Sequence, residues 1–282
     1  MAATKFGLTF GELRRVVDHM PFPPRQSKRQ RKRALAANAR RAHHKAKKKA
    51  KKEARRAAAD PAVLAAKAAA LAAAQCMSAE DRAVVLAGRA AKRAARGVLC
   101  AAGQRIVIDC EFGHLMHDRE HVSLVQQIMY CYGRNKRVRE APCGLHLTGV
   151  DAGFRRRLTR ISGFDNWIGC TTTDRPYIRT FDKSALVYLT ADSPLTVETL
   201  DPSKTYIIGG IVDRNRHKNL TMNKAAAQGI ATANLPIRGH LERLNCSDVL
   251  TVDQVFALLI SYMDQGDWGV AVESSVPQRK RK

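Results

Sequence analysis

The segment with the clearest chemical potential is a polar loop that directly follows an apolar run. Residues 206–212 are almost continuously apolar, which is typical of a central parallel strand, and they lead into Asp213. Arg214, Arg216 and Lys218 follow in the loop. Ligands of open α/β sheets bind beyond the carboxyl ends of the strands, where a carboxylate suits acid–base catalysis and the cations suit phosphate. The alternative is that Asp213 caps a turn and that the basic side chains are only solvated.

The segments around that loop predict an α/β domain with a mainly parallel sheet, because strand-like and helix-like stretches alternate. The predicted strands are 105–109, 145–150, 186–190, 206–212 and 233–237. The predicted helices are 122–132, with Val122, Val125, Gln126 and Met129 on one side, 223–228, which Gly229 ends, and 252–263.

The first hundred residues differ from the rest in composition. Residues 25–56 contain sixteen Lys or Arg and one acidic residue, in a chain of net charge +24. Such charge favours binding to a polyanion, either nucleic acid or an anionic membrane surface. A nuclear-localisation signal or a solubilising tail has a similar composition. Abundant Ala, Lys and Arg predict helices at 27–58 and 61–97, with Asp60 and Pro61 at the break.

Three parts of the chain follow from these contrasts. We predict a basic extension at 1–98, helical or disordered, that contacts RNA. The α/β domain is predicted at 99–275, and a basic tail at 276–282.

Several classes of protein lack support. The sequence contains no dinucleotide fingerprint, no P-loop and no nucleophile elbow. Seven cysteines form no CxxC pair, which indicates reduced thiols in an intracellular protein. His114, His117 and His121 lie close together, but nothing completes a zinc site, so we expect no metal. We also expect no signal peptide and no membrane span.

Ten short motifs after residue 100 follow one another in an order found in one enzyme family. They are 107–109, 123–127, 132–135, 186–194, 206–219, 223–225, 229–230, 235–237, 250–256 and 267–268. With them the chain resembles the tRNA purine-9 (guanine-9) N1-methyltransferases of the SPOUT superfamily. The extension resembles the family only in being basic and helical.

The resemblance implies a SPOUT methyltransferase with a C-terminal trefoil knot that binds S-adenosylmethionine, needs no metal and acts on tRNA as a monomer. The implied cofactor residues are Leu189, Thr190, Gly210, Arg214, Asn215, Arg216, His217, Lys218, Leu235, Pro236 and Ile237. The implied catalytic residues are Asp213 as general base, with Gln126 and Asp109 near the substrate. Candidates for tRNA contact are Arg134, Asn135, Arg155, Arg156, Arg157 and Arg160.

Two alternatives stay open at this point. The chain could be a non-catalytic RNA-binding protein, such as a ribosome-assembly factor, or the same enzyme acting on adenine. Because N1 of guanine carries a proton and N1 of adenine does not, an aspartate base favours guanine. Basic clusters at 25–33 and 279–282 suit nuclear import but equally suit RNA binding in the cytoplasm.

Overall fold

The fold is described from a computed structural model of the chain, which describes residues 27–57, 60–237, 239–240 and 250–275. The helices are α1 (Lys28–Ala57), α2 (Pro61–Cys76), α3 (Ala79–Ala102), α4 (Asp118–Asn135), α5 (Ala152–Leu158), α6 (Leu220–Gln228), α7 (Val252–Gln265) and α8 (Trp268–Ser275). The strands are β1 (Arg105–Asp109), β2 (Gly144–Thr148), β3 (Cys170–Thr172), β4 (Leu186–Leu189), β5 (Thr205–Gly209) and β6 (Ala231–Ala233).

The chain divides into two units, Met1–Ala79 and Glu80–Lys282. The first contains α1, which agrees with the helix predicted at 27–58, and α2, which covers the first part of the helix predicted at 61–97. Asp60 accepts a hydrogen bond from the Ala62 amide at 2.8 Å, with Pro61 as the first helical residue, as predicted. The predicted helix at 61–97 is in fact two helices, because Met77 is extended and ends α2.

Helix α3 belongs to the second unit from Glu80 onward, although residues up to 98 were predicted as part of the extension. It continues to Ala102, past residue 98, where the sequence placed the domain boundary. Arg96 donates to the backbone oxygens of Val138 at 2.9 Å and Asn135 at 2.7 Å, and Arg93 donates to Asn166 at 3.1 Å. Any truncation that is meant to spare the second unit therefore has to keep residues 80–98. The predicted tail at 276–282 lies outside the described residues.

Six strands form one sheet in the order β3-β2-β1-β5-β4-β6, and all of its neighbouring pairs are parallel. This confirms the predicted α/β class with a mainly parallel sheet. Strands β1 and β5 lie in the middle and are apolar on both faces, with Val107, Ile108 and Ile207 all buried. The strand that was not predicted, β3, has only three residues and lies at the edge.

The main core lies where α4 and α7 cover one face of the sheet. Leu124 and Ile128 of α4 pack there with Phe256 and Leu258 of α7. The side of α4 that carries Val122 and Met129 is exposed, and the buried residues are Leu124, Gln127, Ile128, Cys131 and Asn135. Both sets repeat at helical spacing, so the sequence alone did not decide which one faces the sheet.

Several predicted strand ends were also wrong, and each error falls at a loop that matters below. Strand β5 ends at Gly209, so residues 210–212 begin the polar loop instead of continuing the strand. The strand predicted at 233–237 is β6 at Ala231–Ala233, and residues 236–237 form a turn. Helices α5 and α8 were not predicted. Gly229 ends α6 in the left-handed conformation, as predicted.

His146 on β2 predicts an acid-sensitive fold. Burial, assisted by the charge of Arg105, lowers the pKa of His146 to about 4, and its Nδ1 lies 2.7 Å from the Thr171 hydroxyl. The unfolded chain binds this proton near pH 6.5, so stability that is present above that pH is lost as the pH falls toward 4. We expect His146→Gln to remove up to ~3 kcal/mol of this loss. Urea denaturation of both proteins from pH 7 to pH 4 measures it, and parallel curves would contradict the assignment.

Candidate active site

A cavity of about 1150 Å³ lies beyond the carboxyl ends of β4, β5 and β6. Its lining combines apolar side chains with hydrogen-bonding groups. The residues are Leu189, Thr190, Ala191, Asp192, Ser193, Pro194, Thr196, Ile208, Gly209, Ile211, Asp213, Asn215, His217, Lys218, Leu220, Thr221, Asn234, Leu235, Pro236, Ile237, Gly239, Leu250, Val252 and Val255. Its volume lies slightly above the roughly 300–1,000 Å³ that is usual for pockets that bind ligands of drug size.

The three loops that form the cavity are bonded to one another. The Thr190 amide donates to the carbonyl of Ala233 at 2.9 Å, and the Thr221 hydroxyl donates to the Thr190 hydroxyl at 3.0 Å. The side-chain amide of Asn234 donates to the carbonyl of Ser193 at 2.7 Å. These bonds connect the loops after β4 and β6 with the start of α6, so the walls of the cavity are fixed by the fold.

Asp213 organises the loop of residues 210–219 that forms one wall. Its two carboxylate oxygens accept hydrogen bonds from the backbone amides of Asn215 at 2.9 Å and His217 at 2.8 Å. Arg214, Asn215 and Asn219 have φ angles of 54°, 61° and 54°. This conformation costs ~1 kcal/mol for Arg214 and less for the two asparagines, which adopt it more readily. Asp213 therefore caps a turn, as one of the two sequence interpretations has it, and it also lines the cavity.

Gly210 is required by a close approach of two strands. Its amide donates to the Asp109 carbonyl oxygen at 2.8 Å, and a Cβ at Gly210 would lie 2.5 Å from that oxygen. Gly210 is absent from the described lining of the cavity, so its role is to let the loop leave β5 beside β1. This backbone contact explains the glycine without a ligand.

Replacing Gly210 with alanine should displace the loop. We expect Gly210→Ala to destabilise the fold by ~1–3 kcal/mol, because the added carbon meets backbone atoms that cannot rotate away. Gly133→Ala is the matched control: nothing lies within 4 Å of that Cβ in α4, so alanine should stabilise by up to ~1 kcal/mol. Urea denaturation measures both changes, and equal stabilities for the two variants would contradict this role.

Eight of the eleven residues predicted for the cofactor line the cavity: Leu189, Thr190, Asn215, His217, Lys218, Leu235, Pro236 and Ile237. Gly210, Arg214 and Arg216 do not belong to that lining. Arg216 turns away and pairs with Glu120 at 2.9 Å, and it also donates to the carbonyl of Leu115 at 3.2 Å. Lining residues between 191 and 196, together with Asn234, were missed because single polar residues in loops carry no periodic signal.

The two secondary catalytic candidates lie apart from the cavity. Gln126 is exposed on α4 and is not among the lining residues. The Asp109 side chain is fully buried; its Oδ2 accepts hydrogen bonds from the Tyr188 hydroxyl at 2.8 Å and from the Lys224 ammonium at 2.6 Å. Burial raises the pKa of Asp109, and the Lys224 charge opposes that rise. A carboxylate held in this way is placed to support structure instead of touching a substrate.

The residues predicted to contact tRNA divide by exposure. Asn135 is buried, and its side-chain amide bonds both backbone groups of Cys143, at 2.8 and 2.9 Å. It therefore fixes the loop after α4 and is not placed to contact RNA, which corrects the prediction for this residue. Arg155 pairs with Asp165 at 2.7 Å and Arg157 with Asp118 at 2.6 Å. The exposed remainder consists of Arg134, Arg156 and Arg160.

Two further observations concern metal binding and membrane crossing by the described residues. Within those ranges, no three His, Cys, Asp or Glu side chains come together in a way that could hold a metal ion. His117 instead begins α4 in a capping box with Glu120. Among the helices that the structure describes, none combines the length and hydropathy that crossing a bilayer requires.

Comparison with known proteins adds relatives to this geometry. Residues 24–281 match the family model described as tRNA (guanine(9)-N(1))-methyltransferase TRM10/TRM10A. A tRNA (guanine(9)-N1)-methyltransferase of Schizosaccharomyces pombe is 39% identical over 193 residues, 67% of this chain and 63% of the relative. The human tRNA methyltransferase 10 homolog A is 37% identical over 177 residues, 62% of this chain and 52% of the relative. The aligned region thus spans less than two thirds of these curated relatives.

One solved structure is similar to this chain in both fold and sequence. The crystal structure of full-length spTrm10 in complex with SAH is 40% identical and superposes with a TM-score of 0.59. The match covers 63% of this chain and 95% of that one.

Proposed function

The chain belongs to the tRNA (guanine(9)-N(1))-methyltransferase TRM10/TRM10A family, and from that premise we propose that it methylates N1 of guanine at position 9 of tRNA with S-adenosylmethionine. Membership confirms the family identified from the sequence motifs. The observation that carries the proposal is the cavity beyond β4, β5 and β6, because Asp213 lies on its wall. Methyl transfer to N1 requires the methyl donor and the proton acceptor to lie close to the same purine.

The cavity fits the proposed cofactor in shape and chemistry. Apolar side chains such as Leu189, Leu235 and Ile237 suit the faces of an adenine ring. The Asp192 carboxylate suits hydroxyl or ammonium donors, and the Lys218 ammonium suits a carboxylate. When bound, S-adenosylmethionine supplies a methyl group activated by a sulfonium charge. The related spTrm10 was crystallised with SAH, the product that this chemistry leaves.

Asp213 is the proposed proton acceptor. N1 of guanine is a poor nucleophile until its proton leaves, so a positioned base lowers the barrier. Each carboxylate oxygen of Asp213 already accepts one backbone hydrogen bond and retains a further lone pair. These two bonds hold the carboxylate in one orientation toward the cavity. The N1 proton then passes to Asp213 as N1 takes the methyl group.

The remaining parts of the proposal concern tRNA and topology. We propose that the basic residues at 25–56 bind phosphates of the tRNA and that Arg134, Arg156 and Arg160 add contacts on the domain. We also propose that the C-terminal part of the domain forms the trefoil knot that the family resemblance implies. The enzyme is proposed to act as a monomer in the nucleus or cytoplasm.

Methyl transfer to paired transcripts tests the function. Two tRNA transcripts that differ only in guanine or adenine at position 9 are incubated with the full chain and radiolabelled S-adenosylmethionine. We expect label in the guanine transcript alone, because the matching family model and the relatives are named for guanine at position 9. Label in the adenine transcript instead would keep the enzyme class and overturn the base specificity.

One observation favours the second candidate, a non-catalytic RNA-binding protein. The hydrogen bonds of Asp213 to two backbone amides are what a purely structural turn-capping aspartate makes. Calorimetric titration with S-adenosylmethionine separates the two functions. Tight tRNA binding without cofactor binding would favour the non-catalytic protein, and cofactor binding together with methyl transfer would exclude it.

A further inference from the structure

A buried ionic cluster lies behind the cavity, on the side of α6 that faces β1. The Lys224 ammonium donates to Asp109 Oδ2 and to Glu111 Oε2, both at 2.6 Å. Its side chain is 17% exposed, the Asp109 side chain 0% and the Glu111 side chain 31%. The rings of Phe112 and Tyr177 also contact this cation, with centroids 4.8 and 5.0 Å from Nζ. Removing the cation would leave a fully buried carboxylate without its charge partner, which is costly.

The same aspartate holds both ends of the 210–219 loop. At the start of the loop, the Gly210 amide donates to the Asp109 carbonyl oxygen at 2.8 Å. At its end begins α6, and Lys224 lies on the second turn of that helix with its ammonium on the Asp109 carboxylate. The loop therefore spans two attachments to one residue. The distance between those attachments fixes the two end points of the loop and so restricts where Asp213 lies.

The loop needs such attachments because its backbone is strained. Three residues other than glycine, Arg214, Asn215 and Asn219, have φ between 54° and 61°. Strained backbone persists only where the surroundings over-determine it. Asn219 directly precedes α6, so any shift of that helix reaches the strained residues at once.

We propose that Lys224 is a positioning residue: its ion pair with Asp109 fixes α6 and so holds the 210–219 loop with Asp213 directed into the cavity. Lys224 does not belong to the described lining of the cavity, so it acts through the loop and not on the substrate. Thr221 and Leu220, one turn earlier on the same helix, do line the cavity. A shift of α6 would therefore move Leu220 and Thr221 and change the wall of the cavity. The catalytic consequence rests on the proposed function, whereas the effect on the loop does not.

Hydrogen exchange on the full chain tests the positioning directly. We expect Lys224→Met to accelerate exchange of the amides of residues 210–219, while those of β1 and β5 stay protected. Lys224→Arg should restore protection, because a guanidinium can also bind both carboxylates. Lys204→Met is the matched control: that half-buried lysine donates to the carbonyl of Ser184, at 3.1 Å, and does not belong to the ionic cluster. Unchanged exchange in the loop, or equal acceleration across the whole sheet, would overturn the proposal.

A double variant separates positioning from stability. Lys224→Met with Asp109→Asn removes the cation and the fully buried carboxylate, so only the part-exposed Glu111 keeps its charge. We expect it to recover thermal stability while exchange in the loop stays fast. If protection of the loop returns together with stability, the pair is merely structural and the proposal is wrong. This measurement needs no methyl transfer, so its outcome is independent of the proposed function.

Kinetics then measures the catalytic consequence. We expect Lys224→Met to lower kcat for methyl transfer by up to ~10²-fold, since small displacements of a reacting group have effects of this size. The KM for tRNA should change little, because phosphate contacts lie elsewhere, and Lys224→Arg should recover most of kcat. An altered KM with unchanged kcat would contradict positioning of Asp213.

Discussion

Asp213→Asn should slow the single-turnover methylation of guanine by ~10²- to 10⁴-fold, which is the usual contribution of a positioned general base. The amide cannot take the N1 proton. It also has one acceptor oxygen where the carboxylate has two, so one of the amides of Asn215 and His217 loses its partner. Part of the loss therefore comes from a disturbed loop.

SAH affinity separates these two effects. The loop lines the cavity, so a disturbed loop weakens SAH binding, whereas the loss of a base leaves it intact. Asp201→Asn is the matched control, because Asp201 also caps a turn, at the Ser203 amide, but does not line the cavity. We expect full activity in that control. Unchanged single-turnover rates for Asp213→Asn at every pH would remove Asp213 from the mechanism.

Deleting residues 1–79 should weaken tRNA binding by about 10²- to 10³-fold at low salt while leaving SAH binding unchanged. The deletion removes the sixteen Lys and Arg residues between 25 and 56. Each phosphate that they neutralise adds roughly 0.7–0.9 to the slope of log affinity against log salt, so that slope should become shallower. Fluorescence anisotropy with labelled tRNA over a range of salt concentrations measures both quantities.

The boundary of that deletion matters. A cut at residue 98, as the sequence first indicates, would also remove Arg93 and Arg96, which bond the carbonyls of Asn135, Val138 and Asn166. Deleting only residues 1–24 is the control, because it leaves the charged segment in place. If the protein without residues 1–79 binds tRNA with the same affinity and salt slope as the full chain, the extension has no part in binding.

The sequence predicted those elements whose signal is local. Strand β1 was found at residues 105–109 because a short, wholly apolar run between polar residues is typical of a central strand. The cap at Asp60 and the helix end at Gly229 followed from residue types that satisfy helix termini. The short β3 has too few residues to carry a pattern.

The residues of the candidate site were predicted from the sequence only where the signal is local. Asp213 and the residues after it stand out because a polar loop directly follows a buried strand. The contact between Asp109 and Lys224 joins residues 115 apart, and no local pattern reports such a pair. Asn135 was a candidate for RNA contact through the family resemblance, and only its bonds to Cys143 reveal a structural role. Gly210 was an implied cofactor residue, and the structure shows instead its close approach to the Asp109 backbone.

Mass spectrometry of tRNA tests the central claim most directly. Unmodified total tRNA is incubated with the full chain and S-adenosylmethionine, with Asp213→Asn in parallel, and the nucleosides are mapped by fragment. We predict 1-methylguanosine at position 9 with the unaltered protein and a strongly reduced amount with the variant. No methylated nucleoside at position 9, from a protein that binds tRNA, would contradict the proposed function.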